Sequence, residues 1–446
     1  MKLIGHLKTK PSSEIKTSRV GIGFECYDRD LFDPEKCYDL IAATGMKPVR
    51  VQTGWARTEK EKGVYDFSWL DSVVDNLIKR GLEPWFNVGY GNPLYMPDAP
   101  NSTAVGCVPT LYSEECKAAW VSFVKAVAER YKDRITHYEI WNESDISHFW
   151  YPEEPSAVGL AELIKLTGKA IREAYPEAKL GTCLSESRPE FMYELFSRLE
   201  KSDIDFFCSH NYDRYPENGF HSPRDLMNRE LLDDLGFSHV EMWMGEGGHA
   251  SWHPKGHYQC KEGGGSEHRQ AVWHLRRCFL DLQNGLKKTS IFMVVDLWQK
   301  PYEKAKEVLS KPAAQGILNG ITYTPKATYY SLSNAAVVLS EDNELITPFA
   351  LLESSDRNLD IRRSTVFFSH SGKPCMAYWL ASTVEQEEIH ETCKILENPM
   401  KKLKDPVLID MLTGDVFEQT EDETTYPLRE YPMLYCERDT FEINEL

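Results

Sequence analysis

From Val20 to Leu339 the chain alternates, eight times over, a short apolar run with a longer stretch whose apolar residues recur at helical spacing. The runs are Val20–Cys26, Lys47–Trp55, Leu82–Gly91, His137–Glu143, Lys179–Glu186, Ile204–Tyr212, Val240–Gly248 and Thr289–Trp298. Most are rich in β-branched and aromatic residues and lack strict polar alternation, as expected of strands covered on both faces. The stretches between them carry helix punctuation. Asp33 and Pro34 open the first, which stops before Gly45, while Ser68 and Asp71 form a capping-box-like pair at the start of the second, which closes at Arg80-Gly81. The remaining helices are predicted near Ser113–Tyr131, Pro155–Tyr175, Pro189–Leu199, Ser222–Leu235, Glu267–Asn284 and Pro325–Leu339. Strands alternating with helices form a parallel sheet, and eight such units close it into a (β/α)₈ TIM barrel, here over residues 18–340. An open doubly wound sheet would not need eight units, and no Gly-x-Gly-x-x-Gly follows the first strand.

After Ser340 the texture changes. Short strand-like runs such as Ser364–His370, Cys375–Leu380, Val407–Leu412, Val416–Gln419 and Met433–Arg438 follow one another, with Thr413-Gly414-Asp415 as a hairpin turn. Residues 341–446 therefore read as an antiparallel β-sandwich domain, which residues 1–17 could complete with an edge strand. The formal net charge of −18 argues against nucleic acid or an anionic membrane as a partner. No run is apolar enough to span a bilayer or to serve as a signal peptide, and the eleven cysteines are odd in number and scattered. A reduced, cytoplasmic setting is the expectation. Homo-oligomerisation is left open.

Two of the strands end on a glutamate. His137–Glu143 reads His-Tyr-Glu-Ile-Trp-Asn-Glu, and Val240–Gly248 reads Val-Glu-Met-Trp-Met-Gly-Glu-Gly-Gly. In a barrel of this kind the C-terminal ends of the strands build the reactive face. The fourth and seventh strands approach one another across the mouth, so Glu143 and Glu246 can meet there. Paired carboxylates suit glycosidic cleavage: one protonates the leaving oxygen, the other attacks the anomeric carbon, and in retaining enzymes they stand about 5–5.5 Å apart. Glu139 and Glu241 lie deeper on the same strands, where structural pairing is expected. The strand-end groups Glu25, Gln52, Asn87, Tyr90, Asn92 and Glu186 are candidate sugar contacts.

Trp141-Asn142-Glu143 closing the fourth strand, and Glu246 closing the seventh, resemble the signature of clan A glycoside hydrolases. The Tyr-Glu-Ile-Trp-Asn-Glu wording, with a C-terminal β-domain, is most similar to glycoside hydrolase family 39, the β-xylosidases and α-L-iduronidases. The resemblance implies a retaining exo-glycosidase that needs no cofactor. It would release a terminal sugar from an oligosaccharide or glycoside, such as a β-xyloside or related β-glycoside, by double displacement. By that resemblance Glu143 is the general acid/base, Glu246 the nucleophile, and Asn142 the partner of the sugar 2-hydroxyl. Arg50 would hold the nucleophile ionised, His210 and Tyr212 would orient the two carboxylates, and Trp298 would floor the −1 sugar. Other specificities on the same site (β-galactosidase, α-L-iduronidase, arabinosidase) stay open, although no convincing basic set for a uronate is present.

Beyond the seventh strand stands His249-x₃-His253-x₃-His257-x₂-Cys260. A metal-dependent hydrolase would need these side chains to converge on one ion. Pro254 and Gly256 argue for a loop instead, so the expectation is a substrate-contacting loop, with His249 reaching the sugar and no metal. Gly263-Gly264-Gly265 lacks the Lys-Ser/Thr that follows a phosphate-binding loop. A non-catalytic carbohydrate-binding barrel is the remaining rival; it would normally have lost one of the two carboxylates, and both are present.

Overall fold

The computed structural model describes the whole chain except residues 218–220, 298–313, 355–362, 382–388 and 421–423, and the side chains of 221, 222 and 363. The first strand, β1 (Lys2–Leu7), belongs to a sheet formed mainly by the end of the chain. The next eight close into a parallel barrel: β2 (Val20–Gly23), β3 (Pro48–Gln52), β4 (Glu83–Val88), β5 (His137–Ile140), β6 (Lys179–Leu184), β7 (Phe206–Asn211), β8 (Glu241–Gly247) and β9 (Thr289–Ile291). The helices are α1 (Tyr38–Ala43), α2 (Trp55–Thr58), α3 (Ser68–Lys79), α4 (Glu114–Tyr131), α5 (Ala157–Ala174), α6 (Pro189–Phe196), α7 (His221–Asp234), α8 (Glu267–Gln283) and α9 (Ala327–Val338). The TIM barrel and its antiparallel companion are therefore the architecture of this protein.

Local chemistry accounts for the helix starts. Ser113, Ser156 and Ser266 each accept from the backbone N–H three residues on, at 3.1 Å in all three cases, which satisfies one orphan donor of α4, α5 and α8. The capping pair expected at Ser68 and Asp71 does not form. Asp66 takes the Ser68 N–H at 2.9 Å, and Asp71 instead reaches Arg130 on α4 at 2.8 Å. A charged partner on the neighbouring helix outcompetes a local backbone donor there.

The eighth strand is much shorter than the sequence run. After Ile291 the backbone keeps single bonds to its barrel neighbours, Phe292 N–H to Gly247 O at 2.8 Å and Val294 N–H to Gly23 O at 3.1 Å, and also pairs with residues 315–318: Asp296 N–H donates to Leu318 O at 3.1 Å, and Ile317 N–H to Met293 O at 3.0 Å. Gly316 permits this, because a Cβ there would collide with the backbone of Val295 and Asp296. Trp298 lies outside the described residues.

The floor of the barrel is an aromatic plug. Phe206 stacks on Trp243 at 4.2 Å, and Trp85 meets Trp243 edge-on at 5.4 Å, with Cys183 and Cys208 filling the gaps. All eleven cysteines are buried and free. The later strands make an eight-stranded antiparallel sheet that includes β1, and a second sheet of three strands. The hairpin expected at 413–415 turns through Gly414 at φ 81°. Among the described residues, no helix is long and apolar enough to cross a membrane.

Candidate active site

Just past β5 the chain stops being extended. Trp141 and Glu143 adopt left-handed backbone, with φ of 68° and 46°, a conformation that costs non-glycine residues about 1–2 kcal/mol each. The surroundings hold it. Trp141 N–H donates to Val88 O at 3.1 Å, its indole N–H to Phe149 O at 2.7 Å, and Glu143 N–H points to Cys183 Sγ at 3.1 Å. In an extended strand Asn142 and Glu143 would face opposite sides. The turn brings both to one pocket.

Glu246 arrives by a different device. The β7–β8 ladder slips between Ser209 and His210, so that His210 pairs with Glu246, and the β8–β9 ladder slips between Met244 and Gly247. Bulges of this kind re-aim a side chain next to a site. Gly245 sits at the slip, where a Cβ would lie 2.7 Å from the Cβ of Cys208.

Arg50 on β3 sits at the centre, fully buried. Its Nη1 donates to Glu246 Oε2 at 2.7 Å and to Glu25 Oε1 at 3.2 Å; its Nε donates to Glu139 Oε2 at 3.1 Å; its Nη2 donates to Glu139 and to Asn142 Oδ1 at 2.8 Å. Tyr212 donates its hydroxyl to the other oxygen of Glu246 at 2.6 Å. Glu246 is thus gripped on both oxygens. Glu143 makes its contact with His210 Nδ1, at 2.8 Å from Oε1. Ligand atoms of Glu143, His210 and Glu246 all lie within 4.8 Å of one another.

The two carboxylates sit in unequal electrostatic surroundings. Burial, and then the charge of Asp145, push the Glu143 carboxyl up to about 7, against the pull of Arg50. Glu246 has the guanidinium directly on it. Burial drives His210 down to about 4, so its ring is neutral at ordinary pH.

The structure brings together Arg50, Asn142, Glu143, His210, Tyr212 and Glu246. Of the other candidate sugar contacts, Glu186 stays partly exposed and pairs with Arg188 at 2.5 Å, whereas Asn92 is buried and donates to Glu59 O at 2.8 Å. Glu25, Gln52, Asn87 and Tyr90 are buried and occupied with protein partners. Asn87 donates to Glu139 at 2.9 Å and to Trp141 O at 2.6 Å, supporting the turn. Gln52 accepts from Cys26 N–H and Arg29 and donates to the Tyr90 hydroxyl. Glu139 pairs with Arg50, as its depth on the strand suggested. His249 points away: its ring packs on His253 and Trp273, and its Nδ1 lies 3.0 Å from Ala250 O.

Three contributors escaped sequence reasoning. Cys183 lies under the Glu143 amide. Asp145, two residues past Glu143, accepts from three successive backbone N–H groups, at Ser185, Glu186 and Ser187. Tyr258, on the loop after β8, is half-exposed and near enough to Glu143 to feel its charge. Only Asp145 left a trace, in its nearness to the Asn-Glu pair.

Among the described residues, Glu139–Cys183–His210 and Glu143–His210–Glu246 have the spacing of metal ligands. Arg50 already supplies a cation to Glu139 and Glu246, so a divalent ion would meet its repulsion. The His249–Cys260 loop does not converge: His253 and His257 stack ring on ring at 4.5 Å, and Cys260 Sγ turns to Gly263 O at 3.3 Å.

The profile of glycosyl hydrolases family 39 matches residues 39–240, which include Arg50, Asn142 and Glu143. A β-galactosidase, BgaA of Clostridium cellulovorans, is 26% identical over 148 residues, covering 29% of this chain and 22% of that protein. A β-xylosidase of Geobacillus stearothermophilus is 21% identical over 217 residues, covering 42% of this chain and 41% of that protein. The chain thus spans less than half the length of either curated relative. A family 39 glycoside hydrolase from the gut symbiont Bacteroides cellulosilyticus WH2 shares the fold with a TM-score of 0.71 at 16% identity, over 96% of this chain and 82% of that one. In sequence over the larger part of its barrel, and in fold over nearly its whole length, this chain is similar to the glycosyl hydrolases of family 39.

Proposed function

We propose that the protein is a retaining, exo-acting glycosidase in which Glu246 is the nucleophile and Glu143 the acid/base. The observation that carries this is the approach of the two carboxylates, with oxygens within 4.8 Å, on opposite strands of one barrel mouth. Nearest oxygens that close favour the carboxyl separation of about 5–5.5 Å of retaining enzymes over the about 6.5–9.5 Å at which inverting enzymes admit a water. In the first step Glu246 attacks C1 and its lone pair forms the ester bond. The C1–O bond breaks as the Glu143 proton passes to the leaving oxygen. In the second step Glu143, now ionised, takes a proton from water, whose oxygen attacks C1 and frees Glu246.

Each neighbour has work in this scheme. Arg50 and Tyr212 hold the two oxygens of Glu246 and aim them. The neutral His210 orients Glu143 without adding a charge that would strip its proton. The names of the curated relatives favour a β-xyloside or β-galactoside as substrate. Eleven buried free thiols suit a reducing, cytoplasmic setting, and with it a small imported glycoside.

The test is a screen of aryl glycosides, followed by azide rescue of Glu246→Gly on whichever sugar is active. Recovery of a glycosyl azide of inverted anomeric configuration is the expected result. An active sugar with no rescue by azide would remove Glu246 from the nucleophile role.

A further inference from the structure

Asp145 is bound in a way that a loop residue does not need. Its carboxylate accepts from the N–H groups of Ser185 at 2.6 Å and of Glu186 and Ser187 at 2.8 Å. Three successive amides turned on one anion form a nest, and Ser187, in left-handed conformation at φ 46°, curls the backbone to make it. The nest lies at the end of β6, so the contact staples the loop after β5 to the loop after β6. The same β6 loop offers the Ser185 hydroxyl to Glu143. Ile146 N–H closes back on Glu143 O at 3.2 Å, so Asp145 sits inside the turn that carries the acid.

We propose that Asp145 is a positioning residue for the acid/base: anchored in the backbone nest, it places a fixed negative charge beside Glu143, so that Glu143 keeps its proton until the leaving oxygen takes it. The inference rests on the assignment of Glu143 as acid/base. Physically, it answers a difficulty of this pocket. Arg50 on β3 and His148 on the same loop as Glu143 both favour loss of its proton, and the Ser185 hydroxyl does so too. Against them stand burial and Asp145, the first and second causes raising the carboxyl. The other groups facing Glu143 are His210 and Tyr212 at the end of β7, Glu246 on β8 and Tyr258 on the following loop. Arg224 on α7 also feels the charge of Asp145. Because Asp145 is tethered by the backbone, its charge cannot swing away toward that arginine.

The experiment compares Asp145→Asn and Asp145→Glu in the full chain. Each disturbs the staple, but only the first removes the charge. The expected result is that the alkaline limb of kcat/KM moves to lower pH by about half a unit or more in Asp145→Asn, and stays near the wild-type position in Asp145→Glu even if kcat falls. The loss in Asp145→Asn should also be larger for a phenyl glycoside, whose departure needs the acid, than for a dinitrophenyl glycoside, whose departure does not. An unmoved alkaline limb in Asp145→Asn, or limbs that move equally in both variants, would overturn the proposal. Glu143→Gln, assayed alongside, separates the two claims. If it spares dinitrophenyl but not phenyl glycosides while Asp145→Asn shifts nothing, only the role of Asp145 falls. If it treats both substrates alike, the acid/base assignment itself falls.

Discussion

Arg50 is one cation faced by three carboxylates, Glu25, Glu139 and Glu246, in a pocket that water barely enters. Three full negative charges on one guanidinium would leave an excess that a dry interior resists. Glu25 relieves it. Burial, with a smaller push from Glu246, raises its carboxyl to about 8 despite Arg50, so at neutral pH it carries a proton. The linkage has a definite sign. A carboxyl raised above its ordinary value contributes stability that is fully present below about 4.5 and is lost as pH rises through about 8. The buried His210 and His249 shift the opposite way, but their effect is complete once pH exceeds the ordinary histidine range. Between pH 6.5 and 8 the unfolding free energy should therefore fall, with a contribution from Glu25 of at most about 1.4 kcal/mol per pH unit. Glu25→Gln should flatten that slope, as measured by urea unfolding at several pH values. An equal slope in the variant would show that Glu25 is ionised throughout.

At the scale of the element, the barrel strands were readable because each is a continuous apolar run, while their ends were not. The turn at Trp141–Glu143 and the slips around Gly245 break the strand period where the chemistry sits, and neither leaves a mark in local composition. Such breaks need neighbours: Val88, Phe149 and Cys183 hold the first, Cys208 the second. At the closed end of the barrel the opposite holds, and regular packing is the whole design. Gly181 on β6 faces the Phe206 ring so closely that any Cβ would overlap it. Gly181→Ala should destabilise the protein by about 1–3 kcal/mol through overpacking, seen as a lower denaturation midpoint. The folded fraction should keep its kcat, since Gly181 and Phe206 lie in the N-terminal halves of β6 and β7, below the layer of Cys183 that meets the Glu143 amide.

Across the whole molecule, α8 links the barrel to the antiparallel sheets. Arg276, buried on that helix, donates through Nε to Glu430 O at 2.6 Å and through Nη2 to Leu380 O at 3.1 Å, and His268 on the same helix meets Glu430 at 2.7 Å. Leu380 closes the strand Lys373–Leu380, and Glu430 lies in the turn between Tyr426–Leu428 and Met433–Glu437. Arg276→Ala would leave two buried carbonyls without that donor, at a cost of about 2–4 kcal/mol. Unfolding followed by tryptophan fluorescence and by circular dichroism should then separate into two transitions where the parent shows one. At the other end of the chain β1 lies between the strands Asp415–Glu418 and Ile443–Glu445, so both are held with it in one sheet.

The amino-acid sequence alone was enough for the barrel, for the antiparallel region after it and for the pair Glu143 and Glu246. Those follow from local causes: hydrophobic period, helix caps, turn residues, and a carboxylate at the end of an apolar run. Which of the nearby polar groups meet the carboxylates was decided only by tertiary structure. Gln52, Asn87, Tyr90 and His249 look as available in the sequence as Arg50 or His210 do, and the fold buries them with other partners, while Glu25 meets Glu246 only through their shared Arg50. Asp145 reads as an ordinary loop acid until β6 brings three amides to it. Strand curvature and ladder slips set which side chains converge, and these depend on contacts between residues far apart in the chain, which no single segment encodes.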